Sequence, residues 1–418
     1  MRPLIILLFV LCLTPCVPAA VHAAETELES SAEDDLIWGT VSGRLRQFYY
    51  RQSSQFENGD DAAVRESLAV GGHLKYETPW VNDLFQAGVA GYVAAPYLSS
   101  LNRAENGGTN LLKSDNGGIA VIGEAYLSGR AKGVTATAFR QKIFSPVVNS
   151  VDNRMIPILF EGVAAEMDWV DDLRLHASWL EKIKLRNADV FQPMSAVTGN
   201  DALADSKRGM LVLGGDWKPK PFTGKAWFYA IPDYIQTAFF EARAKHDLND
   251  DLALRWLVQA LDQRSLGSAD GGGFNVGEIG VLGGVAVHGV SLDVGVTAVD
   301  ETTDVEDAWG DYPFFNKMMV FGNNRAGEQA LYLATSYDFS RIGWDRFSSS
   351  VKASFSTTPD EGDTASADRN EYNLNFGYRF DGPLEGLSLQ HRWAFIEQRG
   401  DRETLQVRLR LQYDFSLN

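Results

Sequence analysis

Arginines at alternate positions near the C-terminus carry the clearest chemistry in this chain. Arg408 and Arg410 alternate with Val407, Leu409 and Leu411, and Arg379 and Arg392 hold equivalent places in the two preceding apolar stretches. Near the start of the chain, Arg44 and Arg46 alternate in the same way with Leu45, beyond Val41. A guanidinium presents a planar fork of donors that fits a carboxylate two bonds at a time. At about 6 Å one charge pair is worth roughly 0.7 kcal/mol in bulk-like water and about 3 kcal/mol at an effective dielectric near 20. A row of such modest sites lets an anion step along a surface without being trapped. The competing reading is that these arginines pair with acidic neighbours and only stiffen the surface that carries them.

The elements that must position them are strands. Residues 405–415 read L-Q-V-R-L-R-L-Q-Y-D-F, with Leu405, Val407, Leu409, Leu411, Tyr413 and Phe415 on one face and Arg408 and Arg410 on the other. Successive strand side chains point to opposite faces, so one face is apolar and the other wet. The pattern repeats at 373–380, at 387–395 and at 351–355, where Lys352 and Ser354 oppose Val351, Ala353 and Phe355. It is found again at 70–77, and at 173–182, where Arg174, His176 and Lys182 form the wet face. His391 departs from it, falling by parity among apolar residues. Repeated segments near ten residues long, apolar on one side and charged on the other, predict an all-β fold, a transmembrane antiparallel β-barrel.

The links between segments alternate in length. Short ones at 78–83, 130–133, 170–172, 217–224, 247–251, 288–290, 340–343 and 381–385 separate longer ones at 53–64, 96–118, 186–207, 301–326 and 357–368. Short turns on one rim and long loops on the other are expected of an outer-membrane barrel. The segments number about eighteen, counting residues 37–51 as the first. Closure pairs the last strand with the first, which brings Arg44 and Arg46 beside Arg379, Arg392, Arg408 and Arg410 as a basic wall on one sector of the lumen. Tyr49, Tyr50, Trp80, Trp169, Trp217, Tyr337, Tyr413 and Phe415 lie near segment ends, where interfacial girdles form.

The ends set the compartment. Arg2, the apolar run 4–17 and the small residues Ala19, Ala20, Ala23 and Ala24 make a secretory signal peptide, with cleavage expected after Ala23. The expected organisation is a signal over 1–23, an N-terminal periplasmic segment over 24–36 and the barrel over 37–418, inserted in the outer membrane. Both cysteines, Cys12 and Cys16, fall within the signal, so disulfide staples and thiolate metal sites are excluded from the mature chain. Over 418 residues, 38 basic side chains face 55 acidic ones, for a formal charge of −17. That balance excludes a nucleic-acid partner, which needs a basic footprint. The six histidines are scattered, without an i,i+4 pair or an HExxH, so no catalytic or metal constellation is expected, nor any cofactor. The expected partners are small solutes in the lumen and, outside it, outer-membrane lipid with lipopolysaccharide. Parity leaves open whether the barrel is a monomer or a homotrimer.

One further stretch matters: R-Q-K-I-F-S-P-V-V-N-S-V-D-N-R-M-I-P-I-L-F-E-G, from Arg140. With G-T-V-S-G-R-L-R-Q-F-Y-Y-R from Gly39, A-V-G-G-H-L-K-Y-E-T from Ala69 and G-E-A-Y-L from Gly123, it resembles the OprD-type outer-membrane carboxylate-channel porins over essentially the whole mature chain. The resemblance implies an eighteen-stranded barrel whose third long loop folds inward as a constriction. Here that loop is 145–157, with Ser145 at its start and Asp152 and Arg154 near the narrowest point. It also implies an arginine ladder guiding substrate carboxylates, and adds Arg140, of the family's Arg-Gln pair, to the pore lining. Two departures stand out. Phe139 replaces the glycine usual before Arg-Gln, and the chain ends Phe415-Ser-Leu-Asn instead of on the aromatic residue read by the barrel-assembly machinery.

The expected function is therefore passive, selective diffusion of small carboxylate-bearing solutes such as organic acids, amino acids or peptides. A general or sugar-selective porin on the same barrel is the alternative; it would use aromatic rails, with Tyr126, Trp227 and Tyr229 as candidates.

Overall fold

An open sheet edge in lipid leaves backbone donors and acceptors without partners, so a strand protein in a membrane must close on itself. This one does. The structure, a computed structural model, describes residues 39–56, 63–98, 108–399 and 402–417; the expected signal peptide and the 24–36 segment lie outside them. Its strands are β1 (Thr40–Phe56), β2 (Ala63–Glu77), β3 (Phe85–Pro96), β4 (Ile119–Ala131), β5 (Val134–Gln141), β6 (Leu159–Val170) and β7 (Leu173–Lys184). After the two-residue β8 (Gln192–Pro193) come β9 (Met210–Trp217), β10 (Phe222–Ile231), β11 (Ile235–Asn249), β12 (Leu252–Ser265), β13 (Asn275–Val287) and β14 (Val290–Val299). β15 (Gln329–Tyr337), β16 (Phe347–Thr357), β17 (Arg369–Arg379), β18 (Leu387–Gln398) and β19 (Arg402–Leu417) complete the chain. Each pairs antiparallel with its neighbours in sequence, β7 reaches β9 past β8, and β19 closes onto β1. Setting β8 aside, eighteen strands form the closed barrel.

β1 runs past Arg51 to Phe56 because its pairing continues through Gln52 with Gln406 and Gln55 with Glu403. The expected loop 53–64 is correspondingly shorter. The outward faces are apolar: Leu45, Leu74, Val93, Leu127, Val163, Leu213, Val294 and Leu405 are exposed there to lipid. Trp169, Trp217 and Trp344 stand exposed at the short-turn end, where a girdle belongs. Tyr50 does not join a girdle; it points inward and is buried. His391 keeps its outward parity without a register shift, paired with Phe376 and Leu409 and 4.2 Å from the Trp393 ring.

Connecting segments pack into the interior, and two of them bear on the site. Residues 142–158, between β5 and β6, bury Ile143, Val147 and Val148 against the inward-facing Phe160, Leu180, Val212 and Tyr229. The stretch 301–326, expected among the outer loops, lies within residues 300–328 between β14 and β15. These residues pack inside instead, because Trp309, Tyr312, Phe314, Met318 and Met319 give them an apolar content that water does not accommodate. The segments meet where Asn149 donates to the carbonyl of Asp311 (3.2 Å) and accepts from its amide (3.0 Å).

Candidate functional site

Register fixes the wall. Arg44 pairs with Asp414, Arg46 with Gln412, Phe48 with Arg410 and Tyr50 with Arg408 across the β1–β19 seam. Arg392 of β18 pairs directly with Arg408, and Gln390 with Arg410. Across β17, Asn375 stands between Arg392 and Ser350, and Asn373 pairs with Lys352 of β16. From the Arg44 level to the Arg408 level is six residues of β1, about 20 Å at ~3.3 Å per residue. The basic face thus rises through much of the barrel height.

The segment 142–158 is tied to the foot of this wall. Asp152 accepts from Arg46 at 2.7 and 3.0 Å and also from Arg44, which is shared with Asp414. Arg46 additionally donates to the carbonyl of Arg154 and to Gln412 (2.6 and 2.9 Å). Burial pushes the Asp152 carboxyl up, but hydrogen bonds from Arg46 and the charges of Arg46 and Arg44 outweigh it and hold the group below the ordinary carboxylate range. Asp152 and Arg154 do not pair with each other. Arg154 is buried, donates to the carbonyl of Thr109 (3.2 Å) and lies 5.4 Å from the Tyr50 ring, with burial lowering its pKa to about 10. Arg408 lies 5.5 Å from the same ring. Ser145 bonds both the amide and the carbonyl of Val148, a turn-forming role within the segment.

Other expected members fall elsewhere. Arg379, inward by parity, sits exposed at the short-turn end of β17, apart from the seam. Arg140 does not line the interior. It pairs in register with Glu161, on the same outward face as Val163, bonds that carboxylate at 3.0 Å and stacks 4.5 Å from Phe191. Lys182, expected on the wet face, bonds Glu161 at 2.6 Å; a bulge at Glu161/Gly162 carries it outward. Of the aromatic rail candidates, Trp227 and Tyr229 are buried, Tyr229 accepting from the amide of Val147, and Tyr126 donates to Glu77.

Sequence reasoning left some residues out. Glu124, of the G-E-A-Y-L string, is buried inside, accepts from Tyr92 and lies 3.2 Å from both Lys75 and Lys142. Lys352, inward by parity, joins the basic face through the register of β16, β17 and β18. Below the junction of the two inner segments, a cavity of about 440 Å³ is lined by Phe144, Val151, Lys225, Glu241 and Asp311.

A closed eighteen-stranded barrel, two inner segments and a basic seam narrow the possibilities, and a family model decides among them. The model described as outer membrane porin, OprD family, matches residues 39–417. The chain belongs to the OprD family of outer-membrane porins. It is thus an outer-membrane channel protein for the passive passage of small solutes. Among solved structures, OprD-family folds recur. Pseudomonas aeruginosa OpdG is 19% identical, with a TM-score of 0.82, covering 91% of this chain and 98% of that one. Acinetobacter baumannii OccAB3 is 16% identical, with a TM-score of 0.80 over 90% and 99%. Pseudomonas aeruginosa OpdK, solved with vanillate, is 17% identical, with a TM-score of 0.78 over 91% and 99%. No curated protein matches the chain. The glycine usual before Arg-Gln in OprD-type porins also finds its reason, since Phe139 takes φ 77°, where a side chain is strained.

Proposed function

We propose that this porin is selective for small carboxylate-bearing solutes, guided by a luminal ladder of Arg44, Arg46, Arg410, Arg408 and Arg392, with residues 142–158 as the constriction. The observation that carries this reading is that the upper arginines have no carboxylate paired against them. Among the described residues, no carboxylate lies within ion-pair distance of Arg392, Arg408 or Arg410, whereas Arg44 and Arg46 share Asp152. Cations that only stiffened a wall would be expected to sit against acidic neighbours. The gradation, neutralised at the foot and charged above, suits an anion that enters, steps down and leaves. The burial of Trp227 and Tyr229 weighs against a sugar rail.

Liposome swelling with purified protein tests the reading, comparing gluconate with glucose, which match in size and differ in charge. Faster entry of gluconate, lost when Arg392 and Arg410 become Gln, is expected. Equal or faster entry of glucose overturns the carboxylate reading and leaves a general porin on the same barrel.

A further inference from the structure

The ladder's charged upper part is broader than its arginines. Arg410 makes no hydrogen bond or ion pair among the described residues, and Lys352 makes none beyond a contact 5.8 Å from the Tyr332 ring. Arg392 commits only Nε, to Asn375 at 2.6 Å. Arg408 differs from these three: it is buried and spends its donors on Gln406 (2.7 Å) and the carbonyl of Met319 (2.9 Å). The carboxylates nearest this region are already engaged. Glu371 accepts from the amides of Val320 and Phe321, each at 2.9 Å, and from Asn373 at 2.7 Å, while Asp293 accepts from Arg255. Asp152, near Arg410, is held by Arg46 and Arg44, and Asp311, near Arg392, pairs with Lys317 at 2.6 Å.

Placement follows from the pairing. Arg392 stands between the other two: it is one strand and one two-residue step from Arg410 on the short-turn side, and two strands and one such step from Lys352 on the opposite side. With strands ~4.8 Å apart and steps of ~6.7 Å, the Cα separations are about 8 Å and about 12 Å. Side chains of this length, rooted on one inward-curving wall, bring their heads to spacings that a short carbon chain spans. One carboxylate engages one fork and leaves two like charges facing each other. Two carboxylates on one solute relieve both repulsions together.

We infer that Arg392, Arg410 and Lys352 form a three-cation station that favours solutes with two carboxylates a few carbons apart over monocarboxylates of the same size. The inference rests on the carboxylate reading above and adds to it the solute's charge. Succinate, succinamate and succinamide share one skeleton and carry two, one and no carboxylates, so they separate the two claims. Each is used as a competitor of gluconate entry into proteoliposomes. Half-inhibition by succinate at a concentration about tenfold below that of succinamate is expected, with succinamide weaker still. Lys352→Gln should bring succinate to within about twofold of succinamate, and Arg392→Gln gives the same readout if the first variant inserts poorly. Equal inhibition by succinate and succinamate, with succinamide weak, overturns the dicarboxylate station and leaves the carboxylate channel standing. Equal inhibition by all three overturns both.

Discussion

Asp152 meets Arg46 fork to fork: Oδ1 lies 2.7 Å from Nη1 and Oδ2 3.0 Å from Nη2. A carboxylate of the protein thus occupies the ladder as the proposed solute would, with the bidentate geometry that makes arginine the cation of choice for this task. It also joins the segment between β5 and β6 to the first strand, so the proposed constriction and the proposed ladder are physically tied.

Asp152→Asn follows from that contact. The amide keeps the shape and loses the charge, leaving Arg44 and Arg46 more positive toward passing anions. One charge removed at about 6 Å in water-like surroundings is worth roughly 0.7 kcal/mol, about threefold in local anion occupancy. The reversal potential of the reconstituted channel under a KCl gradient should move toward anion selectivity. An unchanged potential would show that the lower rungs do not meet the permeating ion.

Phe139→Gly tests the strain at the end of β5. Phe139 holds φ 77° with its side chain 62% exposed, so the substitution surrenders little packing and removes a conformation that bulky residues avoid. Strain of this type costs on the order of 1 kcal/mol or more. The urea midpoint of the folded barrel, followed by heat-modifiable gel mobility, should rise. A fall would mean that the ring packs better in the membrane than its exposure suggests.

Glu306 supplies a pH dependence in the segment between β14 and β15. Burial, with the charge of Asp307 second, pushes its pKa to about 7 from an ordinary value of 4.5. The folded segment therefore holds the extra proton between those values, and its stability falls as pH rises from about 4.5 through 7. The Glu306 amide donates to Gln263 at 2.8 Å, so its hydrogen-exchange protection, corrected for intrinsic rate, reports the packing. Protection should be higher at pH 5 than at pH 8, and Glu306→Gln should remove the difference.

The sequence made the barrel legible because a two-residue period and one apolar face are local properties, read along each strand without its neighbours. The seam followed from closure alone. The pore lining was harder, because a single extra residue turns a side chain to the opposite face. Parity put Lys182 inside, and the bulge at Glu161/Gly162 put it outside beside Arg140. Length put residues 301–326 with the outer loops, although Trp309, Tyr312, Phe314, Met318 and Met319 already signalled burial. Asp152 was located by resemblance, yet its partners lie over a hundred positions away and belong to register, which no local pattern carries.

Arg46 and Arg410 differ in what they ask of an arginine, and lysine separates the two demands. Arg46 uses its whole fork, on Asp152, Gln412 and the carbonyl of Arg154. A lysine keeps the charge but cannot hold these partners at once. Arg410 makes no hydrogen bond among the described residues, so the contribution proposed for it is charge presented to the lumen. Arg46→Lys should therefore free residues 142–158 and raise open-channel current noise, while gluconate remains preferred over glucose. Arg410→Lys should leave both close to the parent channel, and Arg410→Gln should lower the gluconate preference without added noise. Noise appearing with Arg410→Lys instead would mean that the upper ladder also positions the constriction, and the division between anchoring and guiding arginines would fail.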